Sequence, residues 1–310
     1  GKADVDALND LRLYSDPECA ELTAAVANLY GVKPSNVLPA NGSDEALAFG
    51  FAAFGDDGAV FPDVTYGFYK VFARLFGVEY TEIPLENDFT LRADAYIDSG
   101  KMIVIANPNA QTGLYLPLEE VERIVGGNPN NVVIVDEAYI DFGGESAVGL
   151  IDKYENLVVV QTFSKSRSLA GARVGFAVAC EARISDLKRI KYSFNPYNVN
   201  RLSCALAAAA IKDAEYFEQC RAKIIATRER MTAQLRELGY TVLPSAANFV
   251  LAKSPKIIGS EVYARLKREG ILVRHFDDRR IADYVRITVG TDEQTAALIA
   301  AVKRMEEHYA

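Results

Sequence analysis

A lysine in a short polar segment is the residue of this sequence with the clearest potential for chemistry. Lys165 ends the run Thr-Phe-Ser-Lys that begins at Thr162, and Arg173 follows eight residues later. A lysine amine can form an imine with an aldehyde, and the neighbouring hydroxyls and guanidinium can bind a phosphate group. The segment therefore predicts a site for a phosphorylated aldehyde. The alternative is a solvated turn in which Lys165 has no chemical role.

A carboxylate at the end of an apolar run is the second candidate. Asp136 directly follows Val132–Val135, which has no polar residue and predicts a strand buried on both faces, as in a parallel sheet. A carboxylate in that position is unfavourable unless it has a partner. A protonated ring nitrogen is one possible partner, and Tyr139 could reach a hydroxyl on the same ring. The alternative is that Asp136 caps the next element.

The turn Asn41–Glu45 runs straight into an apolar segment, 46–54, that predicts a helix. Free N–H groups of Gly42, Ser43 and Asp44 at the start of that helix would form an anion site. Ordinary N-capping is the alternative.

Tyr66 follows a predicted strand, Ala59–Phe61. In an α/β sheet such a position lies near the carboxyl ends of the strands, where ligands bind. Tyr66 could stack on a flat ring, or it could simply pack against its neighbours.

These residues are separated by segments that alternate between strand and helix patterns. The alternation predicts an α/β domain with a mostly parallel central sheet, helices in the layers on either side and right-handed crossovers. Every candidate residue follows a strand or opens a helix, so all of them can converge on one edge of the sheet. The predicted strands are residues 37–38, 59–61, 79–83, 102–106, 132–135, 157–160 and 176–178, and the predicted helices begin at Asp16-Pro17-Glu18, at Ala46 and at Pro117.

The pattern changes after Tyr197. Residues 199–238 predict an almost continuous helix, and shorter strands and helices follow it. We therefore expect two domains, a large one over residues 1–205 and a smaller α+β domain over 206–310, joined by that helix. The later predicted elements are strands at 240–243, 249–251, 271–273 and 284–289 and helices at 260–269 and 292–307.

Composition excludes several other classes of protein. The 310 residues carry a net charge of −8, which argues against a nucleic-acid-binding protein. No apolar run approaches the roughly 18–20 residues that span a bilayer, and no signal-peptide pattern follows Gly1. Four cysteines without a CxxC pair predict reduced, mostly buried thiols in a cytoplasmic protein. With only His275 and His308, we expect no metal site.

Taken together in this order, the motifs resemble those of fold-type-I aminotransferases that depend on pyridoxal 5′-phosphate (PLP), most closely the histidinol-phosphate aminotransferases. The resemblance covers nearly the whole chain. It is carried by Asn41–Glu45, Thr65–Tyr69, Asp136–Ile140, Thr162–Lys165, Gly171–Gly175, Asn248–Leu251, Gly270–Arg274 and Val285–Thr291.

The resemblance implies a role for each candidate residue. Lys165 resembles the Schiff-base lysine of the family, Asp136 the partner of the pyridinium nitrogen, and Tyr139 the donor to the ring hydroxyl. Tyr66 resembles the tyrosine that stacks on the ring. The phosphate site would comprise Gly42, Ser43, Asp44, Thr162, Ser164 and Arg173.

The resemblance also implies partners. Tyr14 is similar to a tyrosine that reaches the cofactor phosphate of a neighbouring subunit, which implies a homodimer with shared active sites. Arg286 resembles the arginine that binds a substrate carboxylate, and Arg274 resembles one that contacts the phosphate of the substrate. The expected reaction is amino transfer between L-histidinol phosphate and 2-oxoglutarate, a step of histidine biosynthesis.

Two departures from the family pattern bear on this expectation. The family has an asparagine next to the ring hydroxyl where this sequence has Ala110, so either Asn109 takes its place or Tyr139 acts alone. Members of the family also carry an N-terminal Asn-Glu-Asn-Pro segment that closes over the substrate. This sequence contains no such segment, and we expect substrate closure to depend on it.

Three alternatives remain open at this point. An aromatic amino-acid aminotransferase would use the same scaffold, and a threonine-phosphate decarboxylase is similar in most of these motifs. A PLP-fold protein without catalytic activity, which acts as a binding module, is the alternative from a different class.

Overall fold

The computed structural model describes residues 12–307, so most of the short segment before the first helix, and also His308, lie outside the described residues. Contacts divide the described chain into two compact units. Unit 1 contains the described residues up to Asn107, Leu116–Ala138 and Glu145–Glu218. Unit 2 contains Pro108–Tyr115, Tyr139–Gly144 and the chain from Gln219 onward. The sequence-based boundary at 205/206 stays a prediction.

Unit 1 is built on a seven-stranded sheet with the order β1-β7-β6-β5-β4-β2-β3. β7 is antiparallel to both of its neighbours, and the other neighbouring strands pair in parallel, which confirms the predicted mostly parallel α/β sheet. The strands are β1 Val37–Ala40, β2 Ala59–Pro62, β3 Tyr80–Ile83, β4 Met102–Ala106, β5 Val133–Asp136, β6 Leu157–Thr162 and β7 Gly175–Ala179.

Helices cover the sheet of unit 1. α2 lies so close to β5 that a methyl group at Gly50 would come within 2.5 Å of the side chain of Ile134. Val133 and Val135, which point to the opposite face, belong to a core cluster that includes Leu22 of α1. The helices are α1 Ala20–Tyr30, α2 Ser43–Phe54, α3 Phe68–Phe76, α4 Leu118–Gly126, α5 Glu181–Phe194 and α6 Arg201–Lys212, with α7 Ala214–Glu237 divided between the two units.

The first helix begins later than the sequence pattern predicts. Asp16 does act as a cap, because its carboxylate accepts hydrogen bonds from the backbone N–H groups of Glu18 and Ala20. Cys19, however, has a left-handed backbone with φ 45°, so the helical turn starts only at Ala20. The predicted start at Asp16-Pro17-Glu18 is therefore wrong by one turn.

Unit 2 contains an antiparallel four-stranded sheet with the order β10-β11-β9-β8. One core cluster joins it to the C-terminal helices and includes Val250, Ile287, Leu266 and Leu298. The elements are β8 Thr241–Val242, β9 Phe249–Lys253, α8 Gly259–Arg268, β10 Arg274–His275, β11 Tyr284–Thr288 and α9 Asp292–Glu307. The α+β composition agrees with the prediction for the C-terminal part.

Two predictions are corrected, and one helix was missed. The strand predicted at 271–273 is absent, because pairing with β11 begins only at Arg274. The almost continuous helix predicted over 199–238 is confirmed as α6 and α7, which are separated only at Asp213, whose backbone is not helical. α5 was not predicted. Only Cys19 is fully buried among the four cysteines, so the prediction of mostly buried thiols is wrong, although all four are free.

Within the described chain, no helix combines the length and the apolar character needed to cross a membrane.

Candidate active site

Lys165 and Asp136 lie at the carboxyl ends of neighbouring strands of the unit 1 sheet. Asp136 is the last residue of β5 and pairs in register with Val160 of β6, and Lys165 lies three residues beyond the end of β6. Because β5 and β6 are parallel, both residues lie at the same edge of the sheet. They are close enough for the positive charge of Lys165 to favour the ionised form of Asp136. The predicted convergence of these two residues is therefore confirmed.

Asp136 is buried and has no fully compensating charge. Its net pKa is raised to about 6, mainly because of burial. The hydrogen bonds from Tyr69 and from the Ala138 N–H and the charge of Lys165 partly oppose this rise. The Tyr69 hydroxyl donates to Oδ2 over 2.8 Å, and the Ala138 N–H donates to Oδ1 over 3.3 Å. Each carboxylate oxygen therefore keeps acceptor capacity for one further donor.

The N-terminus of α2 forms a tight cradle at the same edge. A methyl group at Gly175, the first residue of β7, would lie 2.4 Å from the backbone nitrogen of Ser43 and 2.6 Å from the carbonyl carbon of Gly42. Glycine is therefore required for the strand to approach the helix start this closely. The first-turn N–H groups of Ser43 and Asp44 have no partner within the helix, so this end of α2 favours an anion.

One prediction about this cradle is corrected. The N–H group of Gly42 is not free, because it donates to the carbonyl oxygen of Ala40 over 2.9 Å. Gly42 contributes instead through its shape: its φ is +79°, and a methyl group there would lie 2.6 Å from Nη2 of Arg173. The guanidinium thus packs directly over the glycine, a position that a side chain at residue 42 would block.

Arg173 adds a positive charge to the cradle. Its guanidinium contacts the carboxylate of Asp44 at 3.3 Å and Oγ of Ser164 at 3.4 Å. The Arg173 side chain is 47% exposed, so its contact with Asp44 is a weak, exchangeable ion pair that an incoming anion can replace. The Thr162 hydroxyl donates to the Val174 carbonyl over 3.4 Å and accepts from the Ser164 N–H, so it shapes this turn, and its predicted role at the phosphate stays a prediction.

Tyr66 lies in unit 1 next to the same groups. Its hydroxyl donates to Oδ1 of Asp44 over 2.8 Å, and its ring makes an edge contact with Tyr69 at 5.6 Å. On its other side the ring stacks against Phe68. Tyr66, Asp44 and Tyr69 thus form a continuous set of contacts from the start of α2 to Asp136.

Tyr14 lies on the surface of unit 1. Its ring is 79% exposed and stacks on Tyr197 with 4.5 Å between centroids. The carbonyl oxygen of Tyr14 accepts a hydrogen bond from Arg201. Phe194, near Tyr197 in the chain, is also 79% exposed. The described chain therefore carries a group of exposed aromatic rings where the sequence predicts contact with a second subunit.

In unit 2, Arg286 is held by neutral groups. Its guanidinium donates to the carbonyl oxygen of Ala110 over 2.6 Å and lies 4.7 Å from the ring centre of Phe249. Burial lowers its pKa, the charge of Arg274 adds to that shift, and its interaction with Tyr139 opposes it. Tyr139 is itself buried and makes an edge contact with Phe249 at 5.1 Å.

Arg274 lies opposite Arg286 in the β10–β11 pairing. The two guanidinium carbons lie 5.2 Å and 5.4 Å from the ring centre of Phe276, so one aromatic ring is shared by two cations. Within residues 12–307, neither arginine has an ion pair with a carboxylate. Two positive groups without an acidic partner form a natural anion site in unit 2.

Asn109 is also in unit 2, where its side-chain oxygen is already used. Oδ1 of Asn109 accepts hydrogen bonds from the N–H groups of Gln111 and Thr112. Its carbonyl group is therefore committed to the local turn, and Ala110, which replaces the family asparagine, offers only its backbone oxygen to Arg286.

Three residues with clear structural roles at these sites were not predicted: Tyr69, Gly175 and Phe276. Tyr69 lies three residues after Tyr66, in the first turn of α3, so its closeness in the chain to a candidate residue was the available signal. Gly175 could have been suspected as a glycine opening a strand beside a glycine-containing turn. Phe276 carries no local sequence signal, because its role depends on which residue pairs with Arg274 across the sheet.

Among the described residues, no group of three or more histidine, cysteine, aspartate or glutamate side chains could hold a metal ion.

The sequence matches a known protein family over almost its whole length. The family model described as aminotransferase class I and II matches residues 2–302. The chain is 50% identical over 304 residues to a histidinol-phosphate aminotransferase of Aromatoleum aromaticum, a match that covers 96% of this chain and 85% of the relative. It is 48% identical to the enzyme of that name from Pseudomonas syringae pv. syringae, over 94% of this chain and 84% of the relative.

Solved structures agree with the fold. The crystal structure of histidinol-phosphate aminotransferase from Sinorhizobium meliloti, in complex with pyridoxal-5′-phosphate, matches with a TM-score of 0.89 and 25% identity, over 98% of this chain and 86% of that one. A structure of L-threonine-O-3-phosphate decarboxylase from Porphyromonas gingivalis matches with a TM-score of 0.85 and 24% identity, over 98% and 93%. The second likeness concerns the fold alone.

Proposed function

The chain belongs to the aminotransferase class I and II family, and we propose that it transfers an amino group between L-histidinol phosphate and 2-oxoglutarate with PLP as its cofactor. The observation that carries the choice of substrate is the identity of about half of all positions, over almost the whole chain, to relatives that bear the name histidinol-phosphate aminotransferase. The chemistry of unit 1 is consistent with this reaction.

The residues of unit 1 fit PLP on three points. The α2 N-terminus, Arg173 and Ser164 provide an anion cradle for its phosphate. Asp136 is a buried carboxylate with spare acceptor capacity, which suits a protonated ring nitrogen. Lys165 supplies an amine at the same edge of the sheet. When bound, PLP supplies an aldehyde for covalent attachment and a ring that accepts the electron pair released at the Cα of the substrate.

Each residue of the chain then has a defined task. Lys165 Nζ would hold the cofactor covalently at rest and, once displaced by the amine of the substrate, would move a proton to and from the substrate Cα. Asp136 would keep a proton on the ring nitrogen, and it can do so only in its ionised form. Tyr69 would orient that carboxylate through the 2.8 Å hydrogen bond. Tyr66 would stack on the ring and, through its hydroxyl, fix Asp44.

The arginines of unit 2 suit an anionic substrate. Arg286 would bind a carboxylate of glutamate or 2-oxoglutarate, because its planar fork matches that group. Arg274, whose guanidinium also lies over the Phe276 ring, would contact the phosphate of histidinol phosphate. The roles of Tyr139 and Asn109 at the hydroxyl of the cofactor ring also belong to the proposal.

The same proposal covers assembly, location and domain organisation. We expect a homodimer in which Tyr14 serves the phosphate site of the neighbouring subunit, and the exposed rings of Tyr14 and Phe194 support this. A purely monomeric protein in analytical ultracentrifugation would contradict it. A cytoplasmic location and a division into a cofactor-binding domain up to residue 205 and a smaller domain from 206 belong to the proposal as well.

A panel of amino donors tests the reaction. The protein, loaded with PLP, is incubated with 2-oxoglutarate and one of four donors: L-histidinol phosphate, histidinol without phosphate, L-phenylalanine or L-threonine phosphate. Formation of glutamate and release of carbon dioxide are measured. We expect glutamate with histidinol phosphate, much less with histidinol, and no carbon dioxide.

The other outcomes separate the alternatives. A preference for phenylalanine would indicate an aromatic amino-acid aminotransferase. Carbon dioxide released from threonine phosphate without glutamate formation would indicate a decarboxylase. Protein that binds PLP and turns over none of the four donors would favour a binding module and contradict the proposed reaction.

A further inference from the structure

Two cysteine side chains meet in unit 1, outside the groups assigned above. Sγ of Cys204 lies 2.9 Å from Sγ of Cys19, to which it donates a hydrogen bond. Cys19 is the residue before α1, and Cys204 lies in the first turn of α6. The two helices pack against each other along their length. The two cysteines are 185 positions apart in the chain, so the contact between their sulfurs is a tertiary feature and not a consequence of local sequence.

The surroundings of the pair favour a thiolate. The hydrogen bond from Cys204 lowers the pKa of Cys19, and the nearby ammonium of Lys191 acts in the same direction, against burial and the charges of Asp16 and Glu18. The same contact with Cys19 raises the pKa of Cys204. Lys191 is fully buried and donates to the carbonyl oxygen of Pro17, which holds its amine beside the pair, while burial lowers the pKa of Lys191. A thiolate beside a fixed cation is the reactive form of cysteine.

We propose that Cys19 and Cys204 are a redox modification site that forms a reversible disulfide. The oxidant is a small disulfide such as oxidised glutathione. A thiolate of the pair attacks one sulfur of the reagent, breaks its S–S bond and releases one reagent thiol. The second cysteine, as its thiolate, then attacks the resulting mixed disulfide, forms the Cys19–Cys204 bond and releases the second reagent thiol. In total the two cysteines lose two electrons and two protons, and the reagent gains them.

The other two cysteines provide a natural contrast. Cys180 and Cys220 are also free and are about as accessible as Cys204. The thiol of Cys180 is directed to the carbonyl oxygen of Glu155 at 3.3 Å. Exposure alone therefore does not distinguish Cys204 from them, whereas a second sulfur within 3 Å does. Because Cys204 is only half-buried, a small reagent can reach the pair although Cys19 is buried.

The disulfide would fix the segment that carries Tyr14. That segment is already attached to the same region of unit 1: Tyr14 stacks on Tyr197, Arg201 binds its carbonyl oxygen, and Lys188 pairs with Glu18 at 2.5 Å. These contacts are polar or exposed and can exchange. A covalent bond from Cys19 to Cys204 of α6 would hold the segment in place until a reductant cleaves that bond. This inference does not depend on the reaction proposed above, because it concerns thiols and not turnover.

The test is a redox titration of the intact protein. Wild-type protein is equilibrated under native conditions in buffers of increasing ratio of oxidised to reduced glutathione, free thiols are blocked with an alkylating reagent, and peptides are mapped by mass spectrometry without reduction. We expect a cross-linked pair of peptides containing Cys19 and Cys204 to appear first, while Cys180 and Cys220 remain alkylated. Dithiothreitol should restore all four thiols.

Variants supply the matched control. Cys180→Ser and Cys220→Ser should leave the cross-link and its midpoint unchanged, whereas Cys204→Ser should abolish it. The wild-type map needs no variant, so the test stands even if Cys204→Ser folds poorly. Independent glutathione adducts on all accessible cysteines without a cross-link, a cross-link that involves Cys180 or Cys220, or four thiols that survive the most oxidising buffer would each overturn the proposal.

Discussion

The hydroxyl of Tyr69 donates a 2.8 Å hydrogen bond to Oδ2 of Asp136, and both side chains are buried in unit 1. Burial alone favours a neutral Asp136, whereas this bond favours the ionised form. The proposed chemistry needs the ionised form, because only a carboxylate can keep a positive ring nitrogen protonated. Tyr69 therefore adjusts the charge of Asp136 from outside the ligand site.

Replacing Tyr69 by phenylalanine should weaken PLP binding near neutral pH. The loss of a hydrogen bond to a charged group costs roughly 1.5–3 kcal/mol, which corresponds to a rise of about one to two units in the pKa of Asp136, so the affinity at pH 7 should fall by up to about tenfold. The pKa of Asp136, about 6 in the native protein, should rise, and the pH at which affinity is half-maximal should rise with it. Fluorescence titration of the apoprotein with PLP at several pH values measures both quantities.

Tyr80→Phe is the matched control, because the Tyr80 hydroxyl accepts a hydrogen bond from Arg74 and not one that involves Asp136, and its removal should leave the pH profile unchanged. An unshifted profile in Tyr69→Phe would show that the bond has no influence on the carboxylate.

Asp136 should destabilise the apoprotein as the pH rises. Its pKa is 3.8 as a model value and about 6 in the fold, so between these values the folded state binds more protons than the unfolded state. Stability is therefore lost between about pH 4 and pH 6 and stays lower above that range, by up to roughly 3 kcal/mol. Asp136→Asn should remove this loss, so that the variant apoprotein is more stable than wild type at pH 7 but inactive.

Urea denaturation of both apoproteins at pH 4.5 and pH 7.5 measures the effect, because most of the loss of stability given by the linkage relation falls between these two values. A variant that is less stable than wild type at the higher pH would contradict the stated cost of the buried charge.

Gly175→Ala should damage the phosphate cradle. The added methyl group would meet the backbone of Ser43 at 2.4 Å, and backbone cannot move aside as a side chain can. We expect a loss of roughly 1–3 kcal/mol in the free energy of unfolding and weaker PLP binding. Gly171→Ala is the control, because nothing lies within 4 Å of a methyl group there. Equal effects of the two substitutions on PLP affinity would argue against the cradle.

Arg286→Lys should raise KM for 2-oxoglutarate with little change in PLP affinity. Lysine keeps the positive charge but loses the planar fork and the stacking on Phe249, so we expect an increase of roughly tenfold or more. Steady-state kinetics with both substrates, compared with Arg268→Lys on the exposed side of α8, measures the effect. A KM equal to that of wild type would remove Arg286 from the substrate site.

The sequence predicts at which edge of the sheet the residues with chemical roles lie better than it predicts which groups they contact. Asp136 and Lys165 could be assigned to one sheet edge, since strands marked by apolar runs such as Val132–Val135 end where these residues begin. The register that brings Tyr69 to Asp136 depends on how α3 packs, and nothing local encodes it. The free N–H group predicted for Gly42 failed for a similar reason, because a turn bond to Ala40 competes for it.

Two further features show the limit of periodicity. α5 buries Ile184, Leu187 and the charged residue Lys191 on one face, so its apolar pattern is interrupted and no helix was predicted. The segments Pro108–Tyr115 and Tyr139–Gly144 group with the C-terminal unit, although both lie within the first half of the chain. Such grouping follows from long-range contacts alone.

The measurement that tests the central claim most directly is the site of covalent PLP attachment. The protein is incubated with PLP, treated with borohydride to make the bond to the cofactor permanent, digested and mapped by mass spectrometry. We predict one stoichiometric adduct, on Lys165, and none on the Lys165→Ala variant. An adduct spread over surface lysines such as Lys33 and Lys212, or protein that carries no adduct on Lys165, would contradict the assignment of this residue and the reaction built on it.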